Sequence, residues 1–186
     1  MGADHEVRDY RGYELVAAKR DGRFQGVVWK NKKRAGSCVG TSIDDVMAQL
    51  RALVDETLGA MAKARTAPPS GEEYAEALKS ILKKLSDSHV AMLKAHYRAP
   101  DQTLTATELA RAAGYSAYSA ANLQYGNVGK LLHEALPFEL SKRADGSLVY
   151  TSALATAGES NGAEEHWRWK LRPGVAFAIE KLGLSA

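Results

Sequence analysis

A single cysteine, Cys38, serves the whole chain of 186 residues. No internal disulfide can form and an all-cysteine metal site is excluded, which fits a reducing, cytoplasmic setting. Cys38 itself reads as a small buried or half-buried residue. No apolar run approaches the roughly 20 residues of a membrane-spanning helix, so no membrane partner is expected. The opening "MGADHEVRDYRGYELV" has no basic segment leading into an apolar core, and "MGADHE" has no Ser or Thr at position 6. Neither a secretory leader nor a myristoylation site is therefore expected. The signatures of common chemistries are missing as well: no P-loop, no G-x-G-x-x-G after a strand, no G-x-S-x-G, no H-E-x-x-H, and no H-N-H or acid-acid-lysine cluster to hold Mg²⁺. His89 and His96 are seven apart and could share a helix face, but no third ligand has a metal-site spacing. The sequence implies no enzyme activity, no cofactor and no metal.

What is present is a soluble globular composition, 45% hydrophobic and 25% charged, on a chain long enough to bury a core. The net charge of +3 is unevenly placed. Residues 67–186 carry equal numbers of acids and bases, so the excess sits in the first third. Within residues 8–34, nine basic side chains (Arg8, Arg11, Lys19, Arg20, Arg23, Lys30, Lys32, Lys33, Arg34) face three acids. That stretch is the candidate footprint on a polyanion.

From Tyr10 to Val39 the pattern is strand-like: "YELVAAKR", a hairpin turn at Asp21-Gly22, "RFQGVVWK", a basic turn "NKKR" at 31–34, and "AGSCVG". Thr41-Ser42 followed by Asp44 and Asp45 reads as a helix N-terminus, and Ile43, Val46, Leu50, Leu53, Val54, Leu58 and Met61 form one stripe of a helix over 43–64. A basic β-β-β-α unit over 1–65 is expected, with its tip at Asn31 to Arg34 in water. "TAPPSG" at 66–71 breaks the chain through Pro68 and Pro69. Two helices should follow, the second capped by Ser86 and ended by Pro100. Thr105 and Glu108 form a capping box for a short helix "ATELARAA", Gly114 ends it, and a further helix runs from about Tyr118 to Ala135. Beyond Pro137 the pattern reads as strands "FELSK" and "SLVYTSAL", a polar loop 155–165, a return strand "HWRWKLRP" and a last helix "GVAFAIEKLG". The expected class is α+β: a small three-stranded sheet plus helix, linked to a mainly helical winged helix-turn-helix domain over 72–186.

On the helix 118–135, Tyr118, Ala121, Tyr125, Val128, Leu132, Ala135 and Leu136 share a core sector. Ser119, Leu123, Gly126, Asn127 and Lys130 lie opposite, with Asn122 and Gly129 at the flank. Two glycines three apart on such a face indicate close approach, either by a neighbouring helix of the same domain or by nucleic acid. The N-terminal residues of a reading helix meet base edges, here Ser116, Tyr118, Ser119 and Asn122, preceded by Tyr115. For the two tyrosines, core packing and contact are both open. Phosphate attraction would fall to Arg98, Lys130, Lys142, Arg143, Lys170 and Arg172, or to Arg20, Arg23, Lys30, Lys32, Lys33 and Arg34 in the first unit.

Ser88-His89, His96-Tyr97, Gly114-Tyr115, the run Ala120 to Gly126, and Trp169 with Arg172-Pro173 resemble the marks of a bacterial module that accompanies HNH nuclease domains in restriction-type proteins. The resemblance covers roughly 72–186 and implies a helical, DNA-binding module that senses a specific or modified site. No nuclease domain follows in this sequence, so cleavage is not carried over with it. The first unit is similar, in a generic way, to the β-β-β-α modules of phage integrase arms and HicB-type antitoxins. Three functions fit these readings: a protein bound to double-stranded DNA, a phage or mobile-element protein that inhibits a host nuclease or defence complex (anti-restriction or anti-CRISPR type), or an autoregulatory transcription factor. The last needs a homodimer, for which the helix 43–64 could pair.

Overall fold

The computed structural model describes residues 5–158 and 168–185. Among them the fold is mixed α+β, with six helices, a four-stranded antiparallel sheet and a three-stranded sheet. The chain divides into two compact units, 1–65 and 66–186, each around its own hydrophobic core.

The first unit holds four strands where three were expected: β1 (His5–Tyr10), β2 (Tyr13–Arg20), β3 (Arg23–Lys30) and β4 (Lys33–Gly40), paired in chain order. "HEVRDY" is mostly charged and lacks a strand's apolar alternation. It is nevertheless held, because β2 offers a full edge, with Arg8 opposite Leu15 and Tyr10 opposite Tyr13, and because the Tyr10 hydroxyl donates to Asp55 at 2.9 Å. The hairpins turn on Arg11-Gly12, Asp21-Gly22 and Asn31-Lys32, and all six residues have positive φ. Such turns carry the twist that antiparallel strands need. Glycine fills the second position in the first two, whereas the third holds Lys32 at φ 62°, where a side chain costs about 1 kcal/mol or more.

Helix α1 (Ile43–Lys63) starts at Ser42, whose hydroxyl accepts from the Asp45 amide. Its stripe of Val46, Met47, Leu50, Val54 and Leu58 packs with Tyr13, Leu15, Ala17 and Val28 in one core. At Gly26 an added Cβ would lie 2.5 Å from Val46 and 2.7 Å from Leu50, so the helix rests directly on the β3 backbone. Cys38 is half-buried, its thiol against the Val46 carbonyl, and burial raises its pKa. The opposite sheet face is covered by no described element of this unit.

The second unit comprises α2 (Gly71–Ile81), α3 (Asp87–Arg98), β5 (Thr103–Thr105), α4 (Ala106–Ala112), α5 (Tyr118–Ala135), β6 (Ala155–Ala157), β7 (Arg168–Leu171) and α6 (Pro173–Lys181). Gly71, read as linker, is the first residue of α2. Reciprocal capping boxes start α2 (Ser70 with Glu73), α3 (Ser86 with His89) and α4 (Thr105 with Glu108), each satisfying amides that a helix start leaves open.

Beyond Pro137 the strands expected at "FELSK" and "SLVYTSAL" do not form, whereas the return strand does, as β7. Residues 138–149 are irregular apart from one bridge between Lys142 and Leu148, and Tyr150–Ala153 is a 3-10 turn. The sheet instead has the order β5-β7-β6, all antiparallel. Three-residue strands are too short to show periodicity, and β5 reads as loop although Leu104 is buried between Thr103 and Thr105. Most of the polar loop and the first two residues of the return strand, 159–167, lie outside the described residues. No helix among the described residues is long and apolar enough to cross a membrane.

Candidate nucleic-acid interface

Helix α5 follows α4 after a five-residue turn in which Gly114 takes φ 75°. Ala121, Tyr125, Val128, Gly129, Leu132 and His133 are its buried residues. Tyr118 and Ala135, assigned to that core by the helical wheel, are exposed, Tyr118 by 55%. One turn into a helix the surrounding core has ended, so the wheel angle alone overstates burial there. The outward face carries Ser119, Leu123, Asn127 and Lys130, all exposed, with Asn122 and Gly126 half-buried. Leu123 is 63% exposed. The Asn127 side-chain amide donates to Gln124 at 3.3 Å.

The two glycines on α5 separate. A Cβ on Gly129 would sit 2.1 Å from the Tyr150 carbonyl oxygen, so its close neighbour is the 3-10 turn of the same unit. A Cβ on Gly126 would meet nothing within 4 Å. Close approach by the 3-10 helix Tyr150–Ala153 of the same unit therefore accounts for Gly129, whereas Gly126 leaves bare backbone on the outward face.

The start of α5 also differs from α1 to α4. Ala117 provides no side-chain cap and the first turn has no acid. Its leading amides and the positive end of the helix dipole favour an anion. Ser116, Tyr118 and Ser119, all exposed, surround this end. Tyr115 is half-buried against the core and its hydroxyl donates to Ser88 at 2.8 Å, so it is a packing residue.

Several of the residues on which the resemblance rests make internal connections. Tyr115 reaches Ser88, and His89 Nε2 meets Gln124 at 2.9 Å. His96 is fully buried between the Tyr125 hydroxyl (2.7 Å) and the Trp169 carbonyl (2.8 Å), and the Tyr125 ring stacks on Trp169. The Trp169 carbonyl can only accept, so Nε2 donates to it, and the Tyr125 hydroxyl can donate to Nδ1 of the neutral ring, the form that desolvation favours by lowering the His96 pKa from 6.5. This network ties α3, α5 and β7 together and fixes the pitch at which α5 is displayed.

Several predicted cations serve structure. Arg172 donates to the Ser152 carbonyl at 2.7 Å and lies over the Phe138 ring, Arg143 donates to the Leu148 carbonyl at 2.9 Å, and Arg98 donates to the Ser185 carbonyl at 2.9 Å. Lys130, Lys142 and Lys170 are exposed. In the first unit, Arg11 pairs with Asp55, Arg8 with Glu6, and Lys30 lies 4.4 Å over the Tyr13 ring. Arg34 is exposed and donates to Ser37 at 2.6 Å. Lys32 and Lys33 project from the β3–β4 turn, and Arg20 and Arg23 stand opposite each other at the β2–β3 turn. The uneven charge of the sequence thus reduces to two exposed clusters, one at each end of the sheet.

Comparison of the chain with protein-family models, curated proteins and solved structures finds no match. Sequence reasoning missed the uncapped α5 start, which Ala117 signalled by following four capped helices. It also missed the uncovered sheet face, which became visible only once β1 was placed.

Proposed function

We propose that this chain is a DNA-binding protein whose second unit is a winged helix-turn-helix that reads a specific or modified site. The observation that carries the reading is topological. A short strand, β5, precedes the α4-turn-α5 pair and is joined in one sheet by the β6–β7 pair that follows it. This strand-helix-helix-strand-strand order leaves α5 with one core face and one outward face, the arrangement by which a recognition helix enters a major groove. The outward residues are uncharged at the helix start and small in the middle. Ser119 can donate or accept and Leu123 can meet a thymine methyl, whereas Asn122, whose Oδ1 is buried, pairs with adenine N6 and N7 only if its side chain turns outward. The uncapped first turn of α5 and Lys130 would take phosphates. Lys32, Lys33 and Arg34 on the hairpin tip of the first unit supply a second, sequence-independent grip. The resemblance to modules that accompany HNH nucleases is in keeping with this reading, which requires no reaction from the chain itself.

Grip and reading separate on mutation. Replacing Lys32, Lys33 and Arg34 by alanine should weaken binding to all duplexes alike and flatten its salt dependence, by about 0.9 in log-log slope for each phosphate no longer engaged. Asn122→Ala should change the ranking among sequences or modified bases with the slope unchanged. If the triple variant leaves the slope unaltered, the hairpin is not a phosphate grip.

One observation favours a second reading, a protein partner in a nuclease or defence complex: the 63% exposure of Leu123 in the centre of the α5 face. Leu123→Glu should then abolish co-purification with that complex from nuclease-treated host lysate, and a wild-type chain that loses the partner on nuclease treatment would count against this reading.

A further inference from the structure

The sheet of the first unit has a face that α1 does not cover. Strand alternation puts Tyr13, Leu15 and Ala17 toward the helix, so Glu14, Val16, Ala18 and Arg20 point the other way. The register continues this face across the sheet in three parallel rows. The central row is Val7, Val16, Val27 and Ser37, and on one side of it Ala18 and Gln25 lead to Val39. On the other side Asp9 and Glu14 lead to Trp29 and Arg34. Beyond the Val39 row, Arg20 and Arg23 close the end of the face. Val39 is 70% exposed and Val7 49%. Asp9, Glu14, Arg20 and Arg23 make no ion pair with another described residue.

This pattern does not suit a phosphate backbone, which would be repelled by Asp9 and Glu14 and gain nothing from a band of valines. It does complement itself. Turning a second copy about a two-fold axis that lies in the plane of the face, across the strands, sets each strand over its own counterpart, so that Arg20 of each copy comes over Glu14 of the other, one strand from Asp9, and Arg23 comes over Trp29. The Val7-Val16-Val27 row of each copy then meets the Ala18-Gln25-Val39 row of the other at the centre. We propose that the first unit forms a face-to-face homodimer through this surface, two sheets packed as a sandwich. Three strands of eight residues and one of six offer a face of at most about 19 by 26 Å, on the order of 500 Å². That is below the roughly 800 Å² per partner of a standard interface, so the dimer is reversible and forms at micromolar concentration. The inference does not rest on DNA binding.

Sedimentation equilibrium of the full chain, from about 1 to 300 µM at low salt, tests it across the range that such a small interface implies. The wild-type chain should show a monomer-dimer equilibrium. Val39→Glu should weaken it, and so should each charge reversal, Arg20→Glu with Arg23→Glu or Asp9→Arg with Glu14→Arg, by about tenfold or more. Circular dichroism checks that each variant is folded. Mixing the two reversed variants in equal amounts should restore association, because the heterodimer has opposite charges at both ends. A wild-type chain that stays monomeric at the highest concentration overturns the proposal, as does a dimer indifferent to both reversals or a mixture that fails to recover. If Arg20→Glu with Arg23→Glu leaves the molecular mass unchanged but lowers duplex affinity, the face belongs to DNA and the dimer is rejected.

Discussion

Gly126 and Gly129 lie three residues apart on α5, and alanine at each should change stability in opposite directions. At Gly126 the added methyl meets nothing within 4 Å. The variant should therefore gain the difference in helix propensity, about 1 kcal/mol. At Gly129 the methyl would come 2.1 Å from the Tyr150 carbonyl oxygen and 2.7 Å from its carbon. These are backbone atoms that cannot swing aside, so overpacking of about 1 to 3 kcal/mol outweighs the propensity gain. Urea unfolding followed by tryptophan fluorescence reads both, with midpoints moving up for Gly126→Ala and down for Gly129→Ala. The functional half follows from the same geometry. If α5 presents bare backbone to a duplex at Gly126, the stabilised variant should bind DNA about tenfold more weakly, a difference of roughly 1.4 kcal/mol. Fluorescence anisotropy with a labelled duplex measures it. Unchanged affinity in a more stable Gly126→Ala protein would refute close approach at this position.

Lys32→Gly should make the same exchange in the first unit, raising stability by about 1 kcal/mol through relief of the positive-φ side chain while lowering the salt slope of DNA binding by about 0.9. Gly26→Ala should destabilise that unit by about 1 to 3 kcal/mol, since the methyl would press on Val46 and Leu50, and thermal melting will register it. His96 gives a pH dependence. Its folded pKa lies below the unfolded value of 6.5 because burial disfavours the charged ring, so the unfolded chain binds the extra proton. Stability should be fully present above 6.5 and fall as the pH drops below it, by up to about 1.4 kcal/mol per unit until the folded pKa is passed. Urea midpoints between pH 8 and 5 test this, and His96→Gln should flatten the profile.

Most of the stripe of α1, the break at Pro68-Pro69 and the Thr105–Glu108 box were legible because each is a local pattern with one physical outcome, although Met61 of the expected stripe is exposed and Met47 is buried instead. What escaped depends on partners distant in sequence. The β1 strand exists because β2 has an edge to fill and Asp55 waits for Tyr10, neither of which "HEVRDY" reveals. Residues 147–154 have the alternation of a strand, yet Gly129 draws Tyr150 against α5 and the chain turns there. On the candidate interface, the outward set of Ser119, Leu123, Asn127 and Lys130 followed from the helical period. The division of labour among the arginines did not, because whether a guanidinium meets solvent or a carbonyl, as Arg172 meets Ser152, is decided by tertiary folding.

The central claim is that this chain grips duplex DNA, and the most direct measurement is equilibrium binding as a function of salt. Anisotropy titrations with plain and base-modified duplexes between about 50 and 300 mM NaCl should give affinities that fall steeply, with a slope of about 0.9 per phosphate engaged, and at least one duplex should stand out at constant slope. Absence of binding to every duplex at the lowest salt, where each lysine contact is strongest, would contradict the account.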